Sequence, residues 1–169
     1  VCSSDLVEAD LSKSSLHACA VDCLQVSGAD LEQASWSQVT GTAVDAKAVK
    51  AANFRLDQSC QLSGICLDAA QLQRASFQGV NLRGASLKGT TLKKALISRC
   101  DLRDSDGYHL NAVQADFTGS DLRQVRWQGA NLMEARLRKV QLDAADLTGS
   151  NLFGVVRSEE HTSELQSHS

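Results

Sequence analysis

The sequence has few of the residues on which an ordinary globular core depends. Only 4% of its residues are aromatic, it contains one methionine, and it has no proline, although 43% of the residues are apolar. Aromatic side chains supply much of the buried area in compact domains. Their scarcity, with Leu, Ala, Val and Cys as the main apolar residues, predicts a thin and regular interior.

Long apolar runs are also absent. No run approaches the roughly 18 residues that a membrane-spanning helix needs, and the sequence does not open on a signal-peptide pattern. We therefore expect a soluble chain with no membrane partner, and its length suits one domain.

The two ends of the sequence are interpreted as foreign to the protein. The run VCSSDL and the run RSEEHTSELQS, which begins at Arg157, resemble in-frame translations of opposite strands of a sequencing-library adapter. We treat residues 1–6 and 157–169 as assembly artefacts, the second expected to be disordered or unpacked. The whole chain has 17 basic and 20 acidic residues, and removing one basic and four acidic residues at the ends leaves a neutral core.

A five-residue repeat fills the rest of the chain. From Cys60 onward the blocks include AQLQR, ASFQG, VNLRG and ASLKG, and later ADFTG, SDLRQ, ANLME and ADLTG. The middle position is apolar, the residue two places earlier is small, and the other places are mostly polar. The middle positions are Leu62, Leu67, Leu72, Phe77, Leu82, Leu87, Leu92, Ile97, Leu102, Phe117, Leu122, Trp127, Leu132, Leu137, Leu142, Leu147 and Leu152.

A period of five matches neither an α-helix nor a plain strand. However, an inward pair of residues separated by two follows the strand rule. The pattern predicts short extended segments joined by turns, four of which close a square coil of about twenty residues. Coils then stack at about the 4.8 Å spacing of paired strands.

The blocks resemble the A-(D/N)-L-X-X motif of the pentapeptide-repeat family. The clearest copies begin at Ala9, Ala29, Ala115, Ala130 and Ala145. The resemblance implies an all-β fold, the right-handed quadrilateral β-helix, over nearly all of the core.

The repeat does not keep one phase. Residues 7–40 form N-terminal repeat coils, and residues 60–156 form a regular solenoid. Between them, residues 41–59 are predicted to be a re-registering loop or distorted coil, in which Ala52-Asn53-Phe54 looks like a lone repeat in a third phase. A weaker coil spans residues 105–113, where Gly107 and Ala112 replace the expected Leu, and Leu110 is expected to fill the interior instead.

Three groups of outward residues are candidate interaction surfaces. Because residues twenty apart lie above one another, Arg83, Arg103 and Arg123 should form a column, to which Arg126, Arg136 and Arg138 add charge. This column is either a basic stripe for phosphate or acidic partners or a charge ladder with the interleaved Asp residues, which solvates the face. The interleaved Asp residues favour the ladder and argue against direct nucleic-acid binding.

The other two groups are an apolar column and an aromatic pair. Val113, Met133 and Phe153 stack outward, which suggests either a partner or homo-oligomer interface or a surface covered by a further segment. Tyr108 and His109 on the weaker coil are either a bulge with a function or a local defect whose polar residues are solvated. An end of the solenoid is a second place for homo-oligomer contact.

Cysteine usage predicts no metal site and no cofactor. The chain lacks the Cys-x-x-Cys and His/Cys spacings of zinc sites. Cys60 and Cys100 take the inward small-residue position two coils apart, which exceeds disulfide reach, while Cys23 and Cys66 are expected to be exposed. Unpaired thiols favour a reducing, cytoplasmic location.

The repeat offers outer surfaces for binding, and its residues do not form a recognisable catalytic set. No Ser/His/Asp set, phosphate loop or inward carboxylate pair is found, so the sequence predicts no enzyme. The resemblance implies a protein-interaction or scaffold module, within a larger bacterial protein, whose partner is unknown. Some family members mimic DNA and bind type II topoisomerases. Such mimicry needs a dense acidic surface, and the neutral core argues against this alternative.

Overall fold

The computed structural model describes residues 5–157 as a continuous four-sided coil of parallel β-bridges. The five named strands lie on one side of the coil: β1 (Ser15–His17), β2 (Ser35–Ser37), β3 (Arg55–Leu56), β4 (Ser76–Gln78) and β5 (Leu96–Ser98). They form one parallel sheet in the order β1-β2-β3-β4-β5. The described residues contain no helix that could cross a membrane.

Each coil has four sides, and residues at the same place on successive coils form a column. We number the sides face 1 to face 4 in chain order and define each by its central, inward residues. Face 1 has Leu6, Val26, Ala46, Leu67, Leu87, Gly107, Trp127 and Leu147. Face 2 has Leu11, Leu31, Ala51, Leu72, Leu92, Ala112, Leu132 and Leu152. Face 3, which carries the strands, has Leu16, Trp36, Leu56, Phe77, Ile97, Phe117 and Leu137. Face 4 has Val21, Gly41, Leu62, Leu82, Leu102, Leu122 and Leu142.

The core consists of these central residues and of the small residues two places before them. Both sets are buried from Leu24 to Leu137, whereas Leu142 and Leu147 are half-buried and Leu152 is exposed on the last described coil. The predicted inward register is therefore confirmed. Each coil depends on the next one for its burial, as in other solenoids.

The corners are four-residue turns. The N–H three residues after a central residue donates to that residue's carbonyl, for example Ala70 to Leu67 at 3.0 Å. The second residue after the centre, the corner residue, has a positive φ at every described corner except the one after Leu56, as in Gly64 (70°) and Ala69 (57°). A turn of this kind requires positive φ at its third residue, which explains why glycine is frequent in the last place of the repeat.

Residues 41–56 are a regular coil in the N-terminal phase, not a loop. Gly41, Ala46 and Ala51 occupy central positions, and the larger residues two places before them fill the interior instead, namely Val39, Val44 and Val49. The interpretation of Ala52-Asn53-Phe54 as a third phase is wrong, because Phe54 belongs to the same register as Leu56. Its ring packs edge-on against Trp36 at 5.2 Å between centroids.

The change of phase is confined to the corner after Leu56. Bridged residues are 20 apart before it, as in Trp36 and Leu56, and 21 apart across it, as in Leu56 and Phe77. One extra residue is therefore accommodated between Leu56 and Gln61. The backbone N–H of Gln38, which faces this corner, donates to Ser59 Oγ at 2.8 Å.

Asp57 holds the enlarged corner together. Its carboxylate accepts from the Ser59 N–H at 3.1 Å and, more weakly, from the Gln38 N–H at 3.4 Å, and it also accepts from the Ser59 hydroxyl. The Ser59 hydroxyl contributes most to lowering the pKa of Asp57 below its ordinary value. The turn keeps its own backbone bond, from the Cys60 N–H to the Asp57 carbonyl at 3.1 Å. The two side chains replace the backbone carbonyl of the next coil that would accept from the Gln38 N–H at a regular corner, as Ala52 accepts from Gln33.

The weaker coil is also packed. Leu110 is fully buried, as predicted for a compensating residue. At Gly107 the compensation comes from the next coil, because an added Cβ would lie 2.5 Å from Trp127 Cδ1. The Trp127 indole fills this space, and its Nε1 donates to Ser105 Oγ at 3.1 Å.

Of the predicted artefacts, residues 1–4 and 158–169 lie outside the described residues. Asp5 and Leu6 belong to the first coil, where Asp5 bridges Gln25.

Candidate interaction surfaces

The interior of the coil is filled by side chains, so the chemically accessible groups of residues 5–157 lie on its outer faces. On each face the residues just before and just after the central residue lie in outward columns. Among residues 5–157 no group of three His, Cys, Asp or Glu residues could hold a metal ion. The four outward faces are therefore the surfaces on which function can be sought.

The arginine column lies on face 4, and its members are held by carboxylates. Arg103 makes a bidentate salt bridge with Asp101, donating through Nε at 2.9 Å and Nη2 at 2.6 Å. Arg123 makes the same contact with Asp121 at 2.9 and 2.6 Å. Arg103 Nε also lies 3.5 Å from Asp121, which joins the two coils.

These contacts change the charge that the column presents. The hydrogen bond from Arg103 lowers the pKa of Asp101, and that from Arg123 lowers the pKa of Asp121, so both carboxylates stay ionised at neutral pH. Arg83 donates through Nε to Asp104 at 2.9 Å. Each arginine of the column has an acidic partner, which is the geometry of a charge ladder.

Two further arginines of the predicted surface are also near carboxylates, and one is not. Arg126 lies 3.7 Å from Asp106 and Arg136 lies 3.6 Å from Asp116. Within the described residues, Arg138 has no carboxylate within ion-pairing distance. The six predicted arginines therefore differ in whether a carboxylate lies near them, and they do not form one basic stripe.

Tyr108 and His109 form an exposed aromatic pair on face 1. Tyr108 is 51% exposed, and its ring centroid lies 4.1 Å from that of His109. A Cβ at Gly129 would approach His109 Nδ1 to 2.8 Å, so the imidazole lies over this glycine on the next coil. The pair stands on a fully packed coil, because Trp127 fills the space beneath Gly107.

The apolar column lies on face 2 at the C-terminal end. Val113 and Met133 are half-buried, and Phe153 is 74% exposed. Beside it, Asn151 donates to Asn131 Oδ1 at 3.2 Å. This end of face 2 is apolar and amide-rich.

The five cysteines that the structure describes are unpaired, and two of them are buried as predicted. Cys60 and Cys100 are free and buried, and desolvation raises the pKa of Cys100 to about 11. Cys23 is exposed, as predicted. Cys66 was expected to be exposed but is half-buried, and burial raises its pKa.

Sequence reasoning missed a fourth surface on face 3. Residues 69–100 contain six Lys and Arg and no Asp or Glu, a local imbalance that is visible in the sequence. Several of these cations lie at the corners that border face 3. Two adjoining shallow grooves of about 490 and 420 Å³ also lie on this face, and Gln58 and Gln78 line both.

Comparisons with known proteins agree with this architecture. One family model, described as a pentapeptide repeat region, matches residues 55–127, and another, described as pentapeptide repeats in eight copies, matches residues 115–152. No curated protein matches the sequence.

Solved structures with the same coil include QnrB1, a plasmid-mediated fluoroquinolone resistance protein. A trypsin-treated variant of QnrB1 aligns with a TM-score of 0.63 and 22% identity over 92% of this chain and 79% of that one. Full-length QnrB1 aligns with a TM-score of 0.55 and 15% identity over 88% and 86%. HetL, a protein involved in heterocyst differentiation regulation in a Nostoc cyanobacterium, gives 0.44 and 23% over 83% and 86%. The likeness to QnrB1 shows the predicted fold, a right-handed quadrilateral β-helix.

Proposed function

We propose, because the chain belongs to the pentapeptide-repeat family, that it is a non-catalytic protein-interaction or scaffold module within a larger bacterial protein. The observation that carries the proposal is the filled interior. Central residues such as Leu82, Leu102 and Leu122 are at most 1% exposed, so the coil offers regular outer faces and no enclosed pocket for a small substrate.

Two exposed side chains support contact with a protein. Tyr108 and Phe153 stand out on a chain with few aromatics, and aromatic residues are enriched at the centres of protein interfaces. Phe153 lies in the same column as Met133 and Val113 and extends the apolar surface. These residues are the proposed contacts, with a second copy of the chain as one possible partner.

A topoisomerase-protecting DNA mimic is the alternative. QnrB1 is a fluoroquinolone resistance protein, which motivates the alternative, but at 22% identity the likeness extends to the fold alone. A DNA mimic would need a dense acidic surface. Here the carboxylates of face 4, such as Asp101 and Asp121, are neutralised by the neighbouring arginines.

Affinity capture with the full chain tests the proposal. A protein retained by the wild type should be retained about tenfold less by Tyr108→Ala or by Phe153→Ser, since interface aromatics are typical hot spots. Gln128→Ala, on the same face one coil later than Tyr108, is the matched control and should bind as the wild type does. Retention that is equal in all four proteins would refute the proposed contacts. Protection of gyrase from a fluoroquinolone in a supercoiling assay would favour the DNA mimic instead.

A further inference from the structure

Face 3 is bordered by cations that have no acidic partner. Arg74 and Lys94 occupy the corner between faces 2 and 3 on successive coils, and Arg99 and Lys139 occupy the corner between faces 3 and 4. Arg138 lies on face 3 itself. All five are exposed, and within the described residues none has a carboxylate oxygen within 4.0 Å of its side-chain nitrogens. We call these five residues the basic patch.

The carboxylates nearest to the patch are already engaged. Asp57 is bound to the corner formed with Ser59. Asp116 accepts from the Thr118 N–H at 2.9 Å and lies 3.6 Å from Arg136. Glu134, further along the Arg74 and Lys94 column, accepts from Gln114 at 2.6 Å. Asp57 and Glu134 keep their negative charge, because their hydrogen-bond donors are neutral. The five cations of the patch outnumber these two carboxylates, so the patch stays net positive, in contrast with face 4.

On the coils of the patch, the outward residues between the two corners are mostly polar; Leu96 is an exposed apolar side chain, and none of these residues is Phe, Tyr or Trp. The polar ones include Ser76, Gln78, Ser98 and Thr118, whose hydroxyl and amide groups can donate and accept hydrogen bonds. The face's aromatic residues, Trp36, Phe77 and Phe117, are all buried in the coil. The two grooves lined by Gln58 and Gln78 make the surface of this face slightly concave.

This combination favours an extended acidic polypeptide over a single-stranded nucleic acid. Proteins that bind single strands stack bases on exposed aromatic rings, and the coils of face 3 that carry the patch offer none. A chain of carboxylates needs only flexible cations and hydrogen-bonding groups, which Arg74, Lys94 and Arg99 supply together with Ser and Gln side chains. Charge complementarity of this kind determines orientation and speeds association.

We infer that face 3 docks an acidic protein segment, a run rich in Asp and Glu that lies between the Arg74–Lys94 corner and the Arg99–Lys139 corner. The inference rests on the proposed function, because it assigns a surface and a partner class to the interaction module.

The test uses a fluorescein-labelled polyglutamate peptide and the full chain at roughly physiological ionic strength, where long-range charge effects are screened. The triple variant Arg74→Gln, Lys94→Gln, Arg99→Gln should bind about tenfold more weakly, since three exposed charge contacts are lost. Gln is acceptable at these corners because Gln33 and Gln114 already adopt positive φ of 59° each at corner positions.

The matched control removes the same charge from the opposite face. In Lys47→Gln, Lys88→Gln, Arg126→Gln the replaced cations are ones that lie near Asp45 or Asp106. Its affinity for the peptide should stay within about twofold of the wild type. An equal loss in both triple variants would show that net charge alone governs binding and would overturn the inference.

Two other results would also overturn it. One is no peptide binding by the wild type, and the other is tighter binding of an oligothymidylate of equal length, which would identify face 3 as a nucleic-acid surface. Affinity capture separates this inference from the proposed function. A natural partner that the Arg74/Lys94/Arg99 variant retains would leave the interaction module standing and remove its acidic partner. If the wild type retains no protein partner, the proposed function itself fails.

Discussion

Gly107 and Trp127 pack against each other on neighbouring coils, so a larger residue at position 107 should displace the Trp127 indole and destabilise the fold. In Gly107→Ala the new Cβ would lie 2.5 Å from Trp127 Cδ1 and 2.8 Å from Nε1, whereas carbon atoms in contact are about 3.5–4.0 Å apart. The indole must therefore move by about 1 Å. It is fully buried, hydrogen-bonded to Ser105 and packed against Phe117 at 5.4 Å between centroids.

The expected cost follows from these contacts. Overpacking of a filled core costs about 1–3 kcal/mol, and weakening the Ser105 hydrogen bond adds up to about 1 kcal/mol. We expect Gly107→Ala to lower the free energy of unfolding by about 2–3 kcal/mol. For a chain of this size that corresponds to a fall in Tm of roughly 5–10 °C, measured by far-UV circular dichroism and by urea unfolding.

The control is a double-mutant cycle with Trp127→Leu. This substitution leaves a cavity and should itself cost about 2–4 kcal/mol. In that background Gly107→Ala should cost less than about 0.5 kcal/mol, because Leu leaves room for the Cβ, so the coupling should be about 2 kcal/mol. A cost of Gly107→Ala that is the same in both backgrounds would refute the packing argument.

Three further predictions concern the interior, the enlarged corner and the thiols. Leu122→Asp should abolish the folded circular-dichroism signal, because it buries an unpaired charge. Gln124→Asp, at an exposed corner, should cost less than about 0.5 kcal/mol. Equal losses of Tm in the two variants would contradict the inward register. Asp57→Ala should cost about 1–2 kcal/mol near neutral pH, since backbone donors at the enlarged corner lose their acceptor. The folded-state pKa of Asp57 is lowered. Its contribution to stability is therefore complete above its unfolded pKa of about 3.9 and is lost as pH falls through the lower folded value. The difference in stability between wild type and variant should shrink below about pH 4, and a difference independent of pH would exclude this role. In the native protein a thiol reagent at mildly alkaline pH should modify the exposed Cys23 quickly and Cys100 only on unfolding, because burial raises the pKa of Cys100 to about 11. Mass spectrometry measures the two modification rates, and comparable rates would contradict the burial of Cys100.

The sequence predicts the fold well because each five-residue block carries its own signal. Inward Leu122 and outward Arg123 can be assigned from spacing alone, and the structure places both as expected. The interior is harder to predict where two coils share a volume. Gly107 looks like a defect in its own block, and only the position twenty residues later shows that Trp127 fills it.

The surfaces were less predictable than the core. Stacking correctly brings Arg83, Arg103 and Arg123 into one column, but spacing does not show which carboxylate each guanidinium contacts. That choice depends on rotamers and on neighbouring coils, as in the contact of Arg103 with both Asp101 and Asp121. Face 3 was overlooked because its cations lie in two corner columns.

The enlarged corner after Leu56 shows that this architecture tolerates a change of length at a turn. A single added residue there alters the register between neighbours and leaves the coils on both sides intact. By the same geometry, gain or loss of one whole five-residue block would rotate every later coil by a quarter turn about the solenoid axis. Its outward columns would then join different faces while its core kept the same kind of side chains. A short duplication in the gene could thus move a charged or apolar surface to a new side of the protein in one step, which gives natural selection a direct route to new partners.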